Sequence, residues 1–260
     1  MAYSHQALDK TSKFLTNSRL EIVNKLLDTG YLILEDVVSD IECKTLINDL
    51  NQIRGIYPYH VEDIESYAGV FRSPFVFFDS YRKLLLTKKF HEILSELFPT
   101  NYQLHLSRCV ENHPNKSAAT IEWHRDIPYL HTPSKFPLSI SILTFLSSCE
   151  DIQIEIKLNS HKDFFYDFEK ADTLSLNPKP GDTLIFDSNL VHRTLPTNKI
   201  VLYNLYMFTS PILKPVINYS SNEIISTISK NKFRLNEINN IIGHQYLVPK
   251  DDLEYLDKHR

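Results

Sequence analysis

The fourteen residues TIEWHRDIPYLHTP (120–133) hold two histidines, an arginine, an aspartate, a tryptophan and a tyrosine, and they run into FPLSISILTFL, an apolar run of strand type. His124 and Asp126 stand two apart. On extended backbone, positions i and i+2 share a face, so the imidazole and the carboxylate can reach one metal ion. A His-x-Asp pair is weak by itself: His161-Lys162-Asp163 has the same form, and His60-Val61-Glu62 is its glutamate variant. A third ligand separates them. The stretch PKPGDTLIFDSNLVHRTLP (178–196) reads as a turn and a strand with His192 just past its end. His124, Asp126 and His192 would form a two-histidine, one-carboxylate facial triad, a donor set that suits non-haem Fe(II) with open positions. In a jelly roll the first pair and the distal histidine are separated by several strands, and four strands with their turns need about 40 residues. The interval from His124 to His192 allows that. The interval from His161 does not, and His161 sits in the polar run NSHKDFF, while His60 has no strand around it.

The elements that would position this triad follow from periodicity. FLTNSRLEIVNKLLD (14–28) has helical spacing and ends before Gly30, YLILEDVV (31–38) reads as a strand, and DIECKTLINDLNQI (40–53) is an amphipathic helix capped by Ser39 or Asp40. Residues 56–82 are aromatic-rich and irregular, and KLLLTKKFHEILSELF (83–98) is a helix stopped by Pro99. From about residue 102 the runs YQLHLSRCVEN, PLSISILTFLS, DIQIEIKLN, DTLSLN, DTLIFDS and KIVLYNLYMF are short and β-like, divided by Pro, Gly, Asn and Asp. Strands without helical crossovers predict an antiparallel sandwich or barrel. SNEIISTISKNKFRLNEINNII (221–242) turns helical again before Gly243. The expectation is one domain over 1–260: a helical part to about residue 100, a β core over about 101–210, and a helical part beyond.

Composition narrows the function. A net charge of −4 and the absence of a basic stripe argue against nucleic acid as partner. No apolar stretch approaches the ~20 residues of a membrane-spanning helix, and the first residues lack the pattern of a secretory leader. Three widely spaced cysteines, Cys43, Cys109 and Cys149, fit buried thiols in a reducing, cytoplasmic setting better than a disulfide framework. Neither GxGxxG nor a P-loop pattern occurs. A small-molecule substrate and a monomer or homodimer are expected.

The motifs WHRD (123–126), KPGDTLIFDSNLVHRT (179–194) and LLDTGYLILEDVVSDIECKTLINDL (26–50) together resemble the phytanoyl-CoA dioxygenase-like branch of the Fe(II)/2-oxoglutarate oxygenases, over most of residues 20–210. The resemblance implies a double-stranded β-helix, or jelly roll, with flanking helices. It implies His124, Asp126 and His192 as iron ligands, 2-oxoglutarate and O2 as co-substrates, and hydroxylation coupled to decarboxylation to succinate. Asp126 bears on the outcome, since related halogenases have a small residue there. The family usually carries an arginine in the strand after the distal histidine, paired with the far carboxylate of 2-oxoglutarate. Here position 203 is tyrosine and no arginine occurs between 194 and 233. Lys199 is the expected substitute, a point charge in place of a fork, and Thr194 the expected hydroxyl partner of the same carboxylate. Trp123, Arg125, Tyr129, His131 and Arg72 are candidates for substrate contact, with Tyr67 and Arg72 in a lid-like segment. The alternative is a non-catalytic jelly-roll binding protein with the same fold.

Overall fold

In the computed structural model, the described residues are 20–53, 69–72, 74–76, 78–98, 102–114, 122–127, 137–147, 153–162, 167 and 169–210. The C-terminal helices expected after residue 211, together with Tyr67, Tyr129, His131, His60 and Asp163, lie outside them.

A first helix, α1 (20–29), ends at Gly30, whose φ of 81° lies in the left-handed region. The chain enters β1 (Tyr31–Leu34) and then α2 (Asp40–Ile53). Ser39 is the cap of α2. Its Oγ and backbone N–H both donate to Glu42 Oε2, at 2.7 and 2.9 Å, while Glu42 N–H points back at Ser39 Oγ, a capping box. Those hydrogen bonds hold the Glu42 carboxyl below its ordinary range. Part of the segment read as irregular is ordered: β2 (Gly69–Arg72), a 3-10 turn at Pro74–Val76, and the start of α3 (Asp79–Leu85). The helix expected over 83–98 is two helices, α3 and α4 (Lys88–Leu97). The break at Leu86–Thr87 lets Leu84 and Leu85, and then Phe90, Ile93, Leu94 and Leu97, all face the core. His91 bridges it: Nε2 donates to Leu85 O at 2.8 Å and Nδ1 accepts from the Tyr102 hydroxyl at 2.9 Å.

The β core has β3 (Gln103–Asn112), β4 (Ser139–Phe145), β5 (Ile154–Lys157), β6 (Thr173–Leu176), β7 (Thr183–Asp187), β8 (His192–Thr194) and β9 (Val201–Thr209). All pairings are antiparallel. The main sheet runs β1-β7-β4-β9-β3-β2 and the second β6-β5-β8. Strand alternation sorts the apolar residues into two layers. Ile140, Ile142, Ile185, Tyr206 and Phe208 face the helices with Leu50, Phe90 and Leu94. Val110, Leu143, Phe145, Leu184, Phe186, Tyr203 and Leu205 face inward and meet Ile154 and Ile156 of the second sheet. This is the expected jelly roll. Cys43 and Cys109 are buried thiols outside any disulfide, as their spacing suggested, and Cys149 lies outside the described residues. Among the described residues no helix is long and apolar enough to cross a membrane.

Candidate metal centre

Two turns bring the site together. In KPGD (179–182), Gly181 has φ 93°, and a Cβ there would run into Val38 O. The glycine carbonyl instead accepts Val37 N–H and Val38 N–H. Asp182 spends both oxygens on backbone, accepting from Asp36 N–H at 3.2 Å and Lys179 N–H at 2.9 Å. The turn thus clamps the β1–α2 connection and launches β7. In the β7–β8 turn, Asp187 Oδ1 accepts from Asn189 N–H at 2.8 Å. His192 lies past the end of β7, as the sequence suggested, and is the first residue of a further short strand, β8.

His124 pairs with His192 across an isolated antiparallel bridge. Each N–H donates to the other's carbonyl at 3.0 Å. Directly opposite residues put their side chains on one face, and the two rings lie 4.3 Å apart. Asp126, two residues on, joins them: its Oδ1 is 3.9 Å from His124 Nε2 and 3.7 Å from His192 Nε2. One donor atom from each of the three residues lies within 4.8 Å of the others. The expected trio is therefore brought together; of the competing ligand residues only His161 is among those described, and it is not part of the trio. His161 is buried against α1 with Nε2 at 3.3 Å from Leu27 O, rather than lying in a polar loop. A Cβ at Gly30 would strike its ring.

The second ring nitrogens fix the chemistry. His124 Nδ1 donates to Glu122 O at 2.9 Å and His192 Nδ1 donates to Leu190 O at 3.0 Å. With Nδ1 carrying the proton, each neutral imidazole would offer its Nε2 lone pair, and both Nε2 atoms lie within 3.9 Å of Asp126 Oδ1. Burial holds His192 below the ordinary histidine range, opposed by Asp126 and reinforced by His124 and Arg108. Neutral imidazole is the form that ligates a metal.

Asp126 has a support that the sequence reading missed. Ser141 Oγ donates to Asp126 Oδ2 at 2.7 Å, Ser188 Oγ lies 2.9 Å from Ser141 Oγ, and Ser139 Oγ donates to Ser188 Oγ at 2.8 Å. Each hydroxyl has one proton, so the chain has one direction: Ser139 to Ser188 to Ser141 to Asp126. The signal was present in SISILTF, where two serines alternate with isoleucines in an otherwise apolar strand. The result is a carboxylate only 7% exposed, facing two imidazoles. A buried charge of this kind is matched by a cation, and two imidazoles with one carboxylate fit a divalent transition metal.

The flanking candidates are placed differently. Trp123 lies between Lys157 Nζ, 4.5 Å from its ring centre, and the Arg193 guanidinium at 4.3 Å. Arg193 pairs with Glu155 at 2.7 Å on the face of β8 opposite His192. Trp123 thus packs outside the barrel rather than over the triad. Arg125 Nε donates to Asn189 O at 2.8 Å and its Nη2 to Ser160 O at 3.1 Å, so its guanidinium ties two turns together instead of standing as an anion clamp. Thr194 is buried on the inner face of β8, two residues from His192. Lys199 is exposed in the turn before β9, and its carbonyl accepts from Thr197 Oγ1. Arg72 ends β2 in register with Arg108; its side chain lies outside the described residues. A groove of about 500 Å³ between α2 and α3, lined by Glu42, Asp49 and Lys83 among others, touches none of the triad.

The family described as Phytanoyl-CoA dioxygenase (PhyH) matches residues 26–200. A probable alpha-ketoglutarate-dependent hypophosphite dioxygenase from Stutzerimonas stutzeri is 27% identical over 160 residues, 56% of this chain. The chain covers 55% of that relative's length. Among solved structures, the non-heme alpha ketoglutarate dependent carbocyclase SnoK from nogalamycin biosynthesis aligns with TM-score 0.60 and 13% identity over 73% of this chain and 83% of its own. HygX from Streptomyces hygroscopicus, solved with nickel, 2-oxoglutarate and hygromycin B, aligns with TM-score 0.60 and 13% identity over 77% and 90%.

Proposed function

Because the chain belongs to the phytanoyl-CoA dioxygenase (PhyH) family, we propose that it is a single-domain Fe(II)/2-oxoglutarate-dependent dioxygenase that hydroxylates a small or medium-sized metabolite. The observation that carries this reading is the convergence of His124 Nε2, His192 Nε2 and Asp126 Oδ1 with both Nδ1 atoms already committed to carbonyls. His124, His192 and Asp126 would hold the metal. When bound, iron with 2-oxoglutarate and O2 supplies oxidising power: 2-oxoglutarate is cleaved to succinate and CO2, and the second oxygen atom enters a substrate C–H bond.

The residues of this chain orient and protect that chemistry. The reciprocal bridge fixes the two imidazoles at one separation. The serine chain keeps Asp126 Oδ2 occupied, so that Oδ1 is the oxygen offered to the metal. With two neutral imidazoles and one carboxylate, a divalent ion retains a net charge of +1 and attracts an anionic co-substrate. Phe186, edge-on to His192 at 4.8 Å, and Leu190 close the inner side against water. Thr194, on the same face as His192, offers a hydroxyl to the co-substrate. An intact carboxylate at 126, rather than a small residue, favours hydroxylation. Tyr129 and His131, which follow the ligand pair in sequence, and Arg72 are the proposed substrate contacts. Cys43 and Cys109, buried thiols outside any disulfide, support a cytoplasmic setting.

The non-catalytic alternative loses ground to the finish of the site: a binding protein has no need of tautomer-fixing carbonyls and a directed hydroxyl chain on one carboxylate. Iron-dependent release of succinate from 2-oxoglutarate under air tests the reading. The protein is expected to release it, and His192→Ala is expected to stop it. Equal rates with and without iron would refute an iron oxygenase.

A further inference from the structure

We propose that Arg108, on β3, is the residue that holds the far carboxylate of 2-oxoglutarate, and that Lys199 stands outside the site. The proposal rests on the co-substrate reading above and adds the anchor it lacks.

A co-substrate with two carboxylates places one at the metal and leaves the other to be matched inside the barrel, where an unpaired charge is costly. In the strand that usually supplies the cation, position 203 is tyrosine. Tyr203 is buried in the inner layer with Val110, Leu205 and Phe145. The β3–β9 register sets Val110 opposite Tyr203 and Arg108 opposite Leu205. Arg108 is therefore on the same inner face as Tyr203, one strand over and on the diagonal, a separation of about 7–8 Å. An arginine side chain spans that distance. Leu106, two residues before it, packs against the same inner layer, so the alternation is unbroken through Arg108.

Elimination points the same way. Among the described residues of β3, β4, β7 and β9, Arg108 is the one lysine or arginine, and the side chain of Arg72, opposite it at the end of β2, lies outside the described residues. In the second sheet, Lys157 and Arg193 are turned to Trp123 on the outer face. Lys199 is exposed, whereas Arg108 is half-buried. A guanidinium grips a carboxylate through two parallel hydrogen bonds. Supplied from the neighbouring strand, it would restore the fork that a lysine at position 199 could not.

The test is calorimetric titration of the anaerobic Fe(II)-loaded protein with 2-oxoglutarate and, separately, with 2-oxopentanoate, which has a methyl group in place of the far carboxylate. Arg108→Gln is expected to weaken 2-oxoglutarate about 30-fold and to leave 2-oxopentanoate nearly unchanged. Arg108→Lys, which keeps a cation and most of the packing, is expected to recover part of the loss. Lys199→Ala is expected to match the unaltered protein. The proposal is overturned if both Arg108 variants bind 2-oxoglutarate as the unaltered protein does, if they weaken the two ligands equally, or if Lys199→Ala shows the selective loss. Failure of the unaltered, iron-loaded protein to bind 2-oxoglutarate would instead remove the co-substrate reading itself, and Arg108's role with it.

Discussion

Replacing Ser141 by alanine would remove the hydroxyl on Asp126 Oδ2 while leaving the three ligand atoms in the chain. Partners of this kind orient a ligand without touching the metal, and their loss lowers metal affinity by about 10- to 100-fold. Ser141→Ala is expected near the lower end, because Ser188 and Ser139 still line the pocket. Equilibrium titration with Fe(II) measures it, and an unchanged affinity would mean that Asp126 is positioned by backbone alone. Trp123 behaves otherwise. Its ring is clasped by Lys157 and Arg193 outside the barrel, so Trp123→Phe is expected to lower the melting temperature slightly and to leave Fe(II) affinity unchanged. At this scale the sequence was informative about ligands and poor about their surroundings. The spacing of His124, Asp126 and His192 is set by strand alternation, which a sequence displays. The roles of Trp123, Arg125 and Lys199 depend on which face a loop presents, and that is decided by partners distant in the chain, such as Asn189 and Ser160 for Arg125.

Among the elements, α4 and the turns divide the work of stability. Phe90, fully buried between α4 and the main sheet, is a large-to-small site: Phe90→Ala is expected to cost about 3–5 kcal/mol in denaturant unfolding. A loss under about 1 kcal/mol would contradict the packing of α4 on the sheet. His91 makes the same helix acid-sensitive. Burial holds its imidazole below the ordinary range. Above the unfolded value near 6.5 neither state is protonated. As pH falls below that value the unfolded chain takes a proton that the folded chain refuses, so stability declines until pH passes the depressed folded value and then levels off. His105 and His192 are depressed in the same sense. His91→Phe is therefore expected to flatten, though not abolish, the fall of melting temperature with acidification below pH ~6.5; an unchanged slope would mean that His91 is not the group that resists protonation. The strands were mostly legible because alternation and turn residues mark them. The break between α3 and α4 was not, because both halves have good helical sequence and only the core's shape separates Leu85 from Phe90. Nor was β8, whose three residues are too few to show a period and become a strand through pairing with β5 and His124.

At the scale of the molecule, a jelly roll places its chemistry where the two sheets open, and here the main sheet also bears the helices on its other face. That division explains the two apolar layers and why the groove between α2 and α3 is remote from the triad. It also explains why KPGD is more than a strand start: Gly181 and Asp182 tie β7 to the β1–α2 connection, so the helical layer and the ligand-bearing strands are set by one turn. This architecture is expected to deliver a working iron and 2-oxoglutarate site. Anaerobic titration of the protein with Fe(II) and then 2-oxoglutarate, followed by visible absorption, tests it most directly. The expected result is a weak metal-to-ligand charge-transfer band that forms only with both additions and is absent in His192→Ala. Fe(II) binding without that band, or a band that persists in His192→Ala, would contradict the account.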